Sequence, residues 1–141
     1  MKKNNNSGYN PEVELAKGAK FVASSYDNTQ KITVTTANKV TVGGKPGIAE
    51  ISGIATGHIP EAGIEGTIDL WLSIFRYMRP DGTIDHVGGW NIPQVLKPKQ
   101  TPIETAKAFA AYINAAATRP YKAKAAGNKT KATVTVVFTN K

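Results

Sequence analysis

Two histidines are the side chains of this sequence best suited to metal binding or proton transfer. His58 and His86 are far apart in the chain, and Asp85, which precedes His86, would point to the opposite face of a strand. The chain has no cysteine, which excludes a thiolate nucleophile, a zinc thiolate site and a disulfide framework. We therefore expect neither a metal site nor a bound cofactor.

The remaining candidates for catalysis are serines, glycine pairs and one pair of carboxylates. No serine lies in a Gly-x-Ser-x-Gly elbow, and the pairs Gly43-Gly44 and Gly88-Gly89 are not followed by a helix that would cradle a phosphate. These glycines indicate bulges or turns. Glu61 and Glu65 are close enough to converge, but ten acids in a chain of this length provide such a pair by chance. We predict that the protein is not an enzyme.

The charge distribution suggests a different kind of function. The chain carries 18 basic and 10 acidic residues, for a net charge of +8, and no acid follows Glu104. Around the predicted C-terminal turn, lysines alternate with small residues and so share one face of a strand, while Tyr121 lies on the other face. This strip suits non-specific contact with a polyanion, although lysines also serve solubility alone. The candidate contact residues are Lys122, Lys124, Lys129 and Lys131.

The composition indicates a single domain. At 141 residues and 15.0 kDa, with 40% apolar residues, the chain is long enough for one hydrophobic core. Residues 1–11 are polar and asparagine-rich, which predicts a flexible arm before a β-rich domain over residues 12–141. No apolar run has the length of a membrane span or of a secretory signal, so we expect synthesis in the cytoplasm and no membrane contact.

Alternating apolar and polar residues predict the first strands. Residues 31–35 and 39–42 alternate, and the Ala37-Asn38 link between them predicts a hairpin. Residues 12–23 fit either a short helix or a strand, with Gly18 opposing a long helix. The glycine-rich region 43–66 predicts short strands and loops.

The strongest strand pattern covers Thr67 to Tyr77, and both of its faces carry bulky side chains. This indicates that the second face is covered by another layer or by another subunit. A turn over residues 79–83 then predicts a returning strand from Ile84 to Trp90. The candidate assembly interface consists of Trp71, Phe75, Tyr77 and Trp90.

The C-terminal part predicts a helix and a hairpin. Pro93, Pro98 and Pro102 break the chain into a loop, after which Thr101 and Glu104 form a capping box. The helix extends from about Pro102 to Ala117, and strands over 121–126 and 131–139 follow, joined around Gly127-Asn128. The predicted class is α+β: a mainly antiparallel β-sheet or sandwich with one C-terminal α-helix followed by a β-hairpin.

The segments TPIETAKAFAAYINA (101–115), YKAKAAGN (121–128) and ATVTVVFT (132–139) carry a resemblance. A capped, alanine-rich helix followed by two such strands resembles a module of bacteriophage tail sheath and tail tube proteins and of some other virion components. The sequence departs from that module in the long, tryptophan-containing connection over 85–100, and the chain is much shorter than a full sheath protein.

The resemblance implies a repeating, non-enzymatic subunit of a virion, located in the tail, at the neck or on the head as an auxiliary protein. Its partners would be further copies of itself and other virion proteins, and it would have no catalytic residue. The basic hairpin leaves a second interpretation open, a nucleic-acid or polyanion-binding module.

Overall fold

The computed structural model describes residues 18–35, 39–41, 45–59, 64–78 and 82–139, so the predicted arm over residues 1–11 lies outside the described part. These residues form ten strands and one helix, which confirms the predicted α+β class. In chain order the elements are β1 (Gly18–Ser25), β2 (Lys31–Val34), β3 (Lys39–Thr41), β4 (Gly47–Ser52), β5 (His58–Ile59), β6 (Ile64–Glu65), β7 (Thr67–Met78), β8 (Ile84–Val95), α1 (Pro102–Ala115), β9 (Tyr121–Gly127) and β10 (Lys131–Phe138).

Most of the strands belong to two four-stranded antiparallel sheets. Sheet A has the order β3-β1-β7-β8 and sheet B the order β2-β4-β10-β9, while β5 and β6 form a small separate ribbon. The predicted hairpin at Ala37-Asn38 is wrong, because β2 pairs with β4 in sheet B and β3 pairs with β1 in sheet A. Alternation of apolar and polar residues indicates a half-buried strand, but it does not determine which other strand that strand pairs with.

A single hydrophobic core joins the inner faces of the two sheets and one face of the helix. As the alternation in β7 predicts, Ile68, Leu70 and Leu72 are fully buried. The opposing sheet contributes inner-face residues of β4 and β10, which alternate with exposed or half-buried neighbours. Fully buried core residues also include Phe21, Ile51, Ile92, Phe109, Ile113, Val134 and Val136.

Strands β7 and β8 form the longest ribbon, with a register that runs from Thr67 opposite Val95 to Met78 opposite Ile84. Strand β8 therefore continues past Trp90, and the prediction that Pro93 breaks the chain there is wrong. A proline is tolerated because β8 is an edge strand, where one side needs no hydrogen bond. Gly88 and Gly89 also lie in regular register, so they form neither a bulge nor a turn.

Helix α1 begins with the predicted capping box. The Thr101 N–H donates to Glu104 Oε1 at 2.8 Å, and the Glu104 N–H donates to Thr101 Oγ1 at 3.4 Å. These bonds hold the pKa of Glu104 below its ordinary value. The helix ends at Ala115 rather than Ala117, because Ala116 leaves helical geometry with a ψ of 88°.

A buried carboxylate fixes the loop between β1 and β2. Asp27 is 3% exposed, and its oxygens accept the N–H groups of Thr29, Gln30, Thr56 and Gly57 at 2.8–3.0 Å. Burial alone would raise the pKa of Asp27, but these four donors outweigh it and hold the pKa below its ordinary value. The carboxylate therefore ties the loop to the segment after β4.

A buried amide extends this network to the helix. Gln30 Nε2 donates to the carbonyl oxygens of Gly53 and Gln100, each at 3.0 Å. Gln30 Oε1 accepts from Thr105 Oγ1 at 2.6 Å, and Thr105 lies in the first turn of α1. Both side chains are fully buried, so their hydrogen bonds fix the helix start against both loops.

Candidate interaction surfaces

The outer face of sheet A carries an exposed tryptophan that contacts a glycine of the neighbouring strand. Trp71 is 38% exposed, on the opposite face of β7 from the buried Leu70 and Leu72. A Cβ atom at Gly89 would lie 3.0–3.3 Å from Cζ2, Nε1 and Cε2 of the Trp71 indole, so this edge of the ring contacts Gly89 of β8. Phe75 and Tyr77 belong to β7, but their side chains lie outside the described part of the chain.

Strand β8 forms one edge of sheet A, and its backbone shows which groups remain unpaired. Backbone groups of an antiparallel strand point alternately toward the two sides. The N–H of Leu96, just after β8, donates to the Gly66 carbonyl at 2.9 Å, on the β7 side. Gly89, Asn91, Pro93 and Val95, at odd-numbered positions, therefore direct their backbone groups away from β7.

Among the residues that the structure describes, none pairs with this edge, which is partly apolar. Gly89, Asn91, Pro93 and Val95 are exposed, and Val95 has 54% of its surface accessible. Pro93 has no N–H to offer, but the other three residues each present an N–H and a carbonyl in extended geometry. A strand from another chain that pairs here would lie next to Gly89, which the indole of Trp71 contacts from β7.

Strand β9, at one edge of sheet B, is protected by the helix. Asn114 Oδ1 accepts the Ala123 N–H at 2.8 Å, and Asn114 Nδ2 donates to the Ala123 carbonyl at 2.9 Å. The side chain thus imitates a neighbouring strand and satisfies both outward groups of Ala123. The other two edges, β2 and β3, have four and three residues. Among the described strands, β8 is therefore the long edge that lacks protection.

Trp90, the fourth predicted interface residue, lies in the core. It is 8% exposed and sits opposite Leu72, on the inner face of sheet A, whereas Trp71 is on the outer face. Its ring stacks on Tyr121 with centroids 5.8 Å apart, and the Arg119 guanidinium lies 5.3 Å from its centre. A shallow cleft of about 380 Å³ adjoins this cluster, lined by Trp90, Tyr112, Ala115, Ala116, Thr118 and Arg119.

The structure places three of the four predicted contact lysines on one face and the fourth in a turn. Lys122, Lys124 and Lys131 are exposed on the outer face of sheet B. Lys129 lies in the turn, where its charge adds to the hydrogen bonds from Thr101 that lower the pKa of Glu104. The sheet adds Lys31, because the pairing of β2 with β4 and of β4 with β10 places Lys31 in the row of Lys131. The sequence pattern missed Lys31, since that row is formed by distant segments.

The backbone register gives the positions of the two histidines and of one candidate carboxylate. His58 of β5 lies opposite Glu65 of β6, and His86 of β8 lies opposite Arg76 of β7. Their side chains and Glu61 are outside the described part. Within the described parts of the chain, no group of three or more acidic, histidine or cysteine residues is suited to a metal ion. The described helix lacks the length and apolar character needed to cross a membrane.

Comparison of the chain with known protein families, with curated proteins and with solved structures finds no match. Two surfaces of the described chain are candidates for interaction: the β8 edge with Trp71 and the outer face of sheet B with its exposed lysines.

Proposed function

We propose that this chain is a non-enzymatic structural subunit of a bacteriophage virion, located in the tail, at the neck or on the capsid as an auxiliary component. The subunit assembles into a symmetric oligomer through the open edge of β8. The resemblance of residues 101–139 to a module of virion proteins supports the assignment to a virion. The edge of sheet A at β8 supports the self-assembly.

The main support for self-assembly is the difference between two sheet edges, β8 and β9. The side chain of Asn114 pairs with the β9 edge at Ala123, whereas within the described residues the outward backbone groups of Gly89, Asn91 and Val95 in β8 have no partner. Monomeric proteins usually protect long edges with charge, helices or short strands. An open edge beside an exposed tryptophan suits a subunit whose neighbour completes the sheet.

A matched pair of valine substitutions tests the assembly. Val95 lies on the β8 edge and is 54% exposed, and Val137 lies on the outer face of sheet B and is 37% exposed. A lysine at an edge strand opposes pairing with another strand. We expect the wild-type chain and V137K to form the same oligomer by size-exclusion chromatography with light scattering, and V95K to shift at least tenfold toward monomer.

Equal oligomers in all three proteins would reject the β8 edge as the interface, and a wild-type chain of 15.0 kDa at every concentration would reject self-assembly. The virion assignment has its own test, which is mass spectrometry of purified phage particles. We expect peptides of this chain at many copies per particle. Their presence in the lysate together with their absence from particles would reject a virion protein.

A further inference from the structure

A second surface, on the opposite side of the sandwich, carries an inference that does not depend on the proposed function. We propose that the outer face of sheet B binds the phosphate backbone of a double-stranded nucleic acid without reading its sequence. The inference rests on the positions of lysines and hydroxyl groups that the four strands bring together.

The register of sheet B places the lysines in one plane. Lys31 and Lys131 both lie opposite Ser52 of β4, so two strand spacings, about 10 Å, separate their backbones. Lys122 and Lys124 are two residues apart on β9, a separation of about 7 Å. The basic face, defined by these four lysines, therefore spans several phosphate groups of a duplex, which carries one charge per about 1.7 Å of its axis.

Hydroxyl groups lie between the lysines. Thr133 and Thr135 of β10, Thr33 of β2 and Ser52 of β4 belong to the same outer face. Lysine ammonium groups and threonine or serine hydroxyls are common donors to phosphate oxygens in nucleic-acid complexes. The face thus combines charge and hydrogen-bond donors in the pattern that a phosphate backbone accepts.

Few acidic side chains lie near the lysines of the basic face. The one carboxylate on the described part of the face is Glu50, whose Oε1 lies 3.9 Å from Lys131 Nζ, and both side chains are accessible to solvent. Such an exposed contact is weak, so a phosphate competes with it readily. Lys31 also donates to the Asp27 carbonyl at 3.0 Å, which positions its charge without neutralising it. Neither Lys122 nor Lys124 forms an ion pair within the described residues.

The chemistry of the face favours duplex over the other polyanionic partners. Single-stranded nucleic acids usually stack their bases on aromatic side chains, and the described outer face of sheet B carries none. Protein interfaces usually contain buried aromatic or arginine anchors, and this face offers only Ile48 and Val137 as sizeable apolar residues. A flat array of lysines and hydroxyls matches sequence-independent backbone contact.

Fluorescence anisotropy with a labelled DNA duplex of mixed sequence tests the inference. We expect binding that weakens steeply between about 50 mM and 200 mM salt, because phosphate contacts release counterions. The double variant K122Q/K124Q should bind about tenfold more weakly, with a slope of log affinity against log salt smaller by about 2. The control K20Q/K107Q removes the same charge from β1 and α1, and should change affinity less than about threefold.

Equal losses in the two double variants would overturn the inference, because net charge alone would then explain binding. Affinity that is insensitive to salt would overturn it as well. Two competitors identify the partner class. Tighter binding of a single-stranded oligonucleotide would reject the duplex, and competition by polyglutamate as strong as that by DNA would assign the face to an acidic protein. Because sheet A is unchanged in K122Q/K124Q, loss of DNA binding is separable from loss of assembly.

Discussion

The indole of Trp71 contacts Gly89 on the outer face of sheet A, so closely that a Cβ at Gly89 would be 3.0 Å from Cζ2 of the ring. The two residues occupy neighbouring strands, with Gly89 directly opposite Ser73. The glycine leaves room for this edge of the indole, because a Cβ at position 89 would crowd the ring. The result is an aromatic surface that reaches the open edge of the sheet.

Substitution of Gly89 by alanine should displace this ring. The new methyl group would lie 3.0–3.3 Å from the indole edge, closer than an ordinary van der Waals contact, so the ring has to shift, while Gly89 has an ordinary strand backbone that alanine adopts without strain. We expect Trp71 to become more accessible to acrylamide quenching, and the free energy of unfolding to change by less than about 1 kcal/mol. Unchanged quenching would contradict the contact between Trp71 and Gly89.

Substitution of Asn114 by alanine should weaken the protection of the β9 edge. The change removes two hydrogen bonds to the backbone of Ala123. We expect the free energy of unfolding to fall by about 1–2 kcal/mol in urea titrations. K107A serves as the control, since Lys107 is exposed on the same helix, and it should change stability by less than about 0.5 kcal/mol. Equal effects of the two variants would refute a specific role for Asn114.

Substitution of Thr105 by valine should destabilise the buried junction between the helix and its loops. Valine keeps the shape of threonine but removes the hydroxyl that donates to Gln30 Oε1 and accepts from Gln100 Nε2. Because the site is fully buried, the loss should cost about 1–3 kcal/mol in urea or thermal unfolding. T33V, at an exposed position of β2, should be close to neutral. A neutral T105V would contradict a stabilising role for the hydroxyl of Thr105.

Asp27 should make stability depend on pH. Its folded pKa lies below the ordinary value of 3.8, so the carboxylate stabilises the fold above that pH. This stabilisation is lost as the pH falls through the folded pKa. We expect D27N to be less stable than wild type by about 2 kcal/mol or more at pH 7, measured by urea unfolding, with a difference that shrinks below about pH 4.

The comparison with D27N isolates Asp27 from the other acids. Burial raises the pKa of Asp69, so its contribution to the pH dependence of stability has the opposite sign to that of Asp27. The pKa of Glu104 is lowered, so its contribution has the same sign as that of Asp27. Both groups are present in wild type and in D27N, so they cancel in the difference between the two proteins. A difference that stays constant from pH 7 to pH 3 would contradict the ionised, hydrogen-bonded state of Asp27.

The local elements of this fold are predictable from the sequence because their signals are local. The capping box of Thr101 and Glu104 marks the helix start, and the alternation in β7 places Ile68, Leu70 and Leu72 on the buried face. Both signals depend on a few consecutive residues. The helix, the C-terminal hairpin and the α+β class follow from them.

The arrangement of the strands and surfaces depends on distant pairs and was predicted less well. Nothing near Ala37-Asn38 indicates that β2 and β3 enter different sheets. Trp90 resembles an interface residue in sequence, but the register with Leu72 turns it into the core. Asn114 of the helix forms hydrogen bonds with the outer edge of β9, a strand that begins only after the helix has ended. Lys31 belongs to the basic face only because β2 pairs with β4.

Amide hydrogen exchange at the β8 edge tests most directly whether this edge pairs with another copy. At high protein concentration we expect slow exchange of the Asn91 and Val95 amides, and at low concentration fast exchange, because their N–H groups point away from β7. The amides of Leu96 and Ala123, bonded within the chain, should be protected at both concentrations. Fast exchange of Asn91 and Val95 at every concentration, in a sample that is oligomeric by light scattering, would contradict pairing through β8.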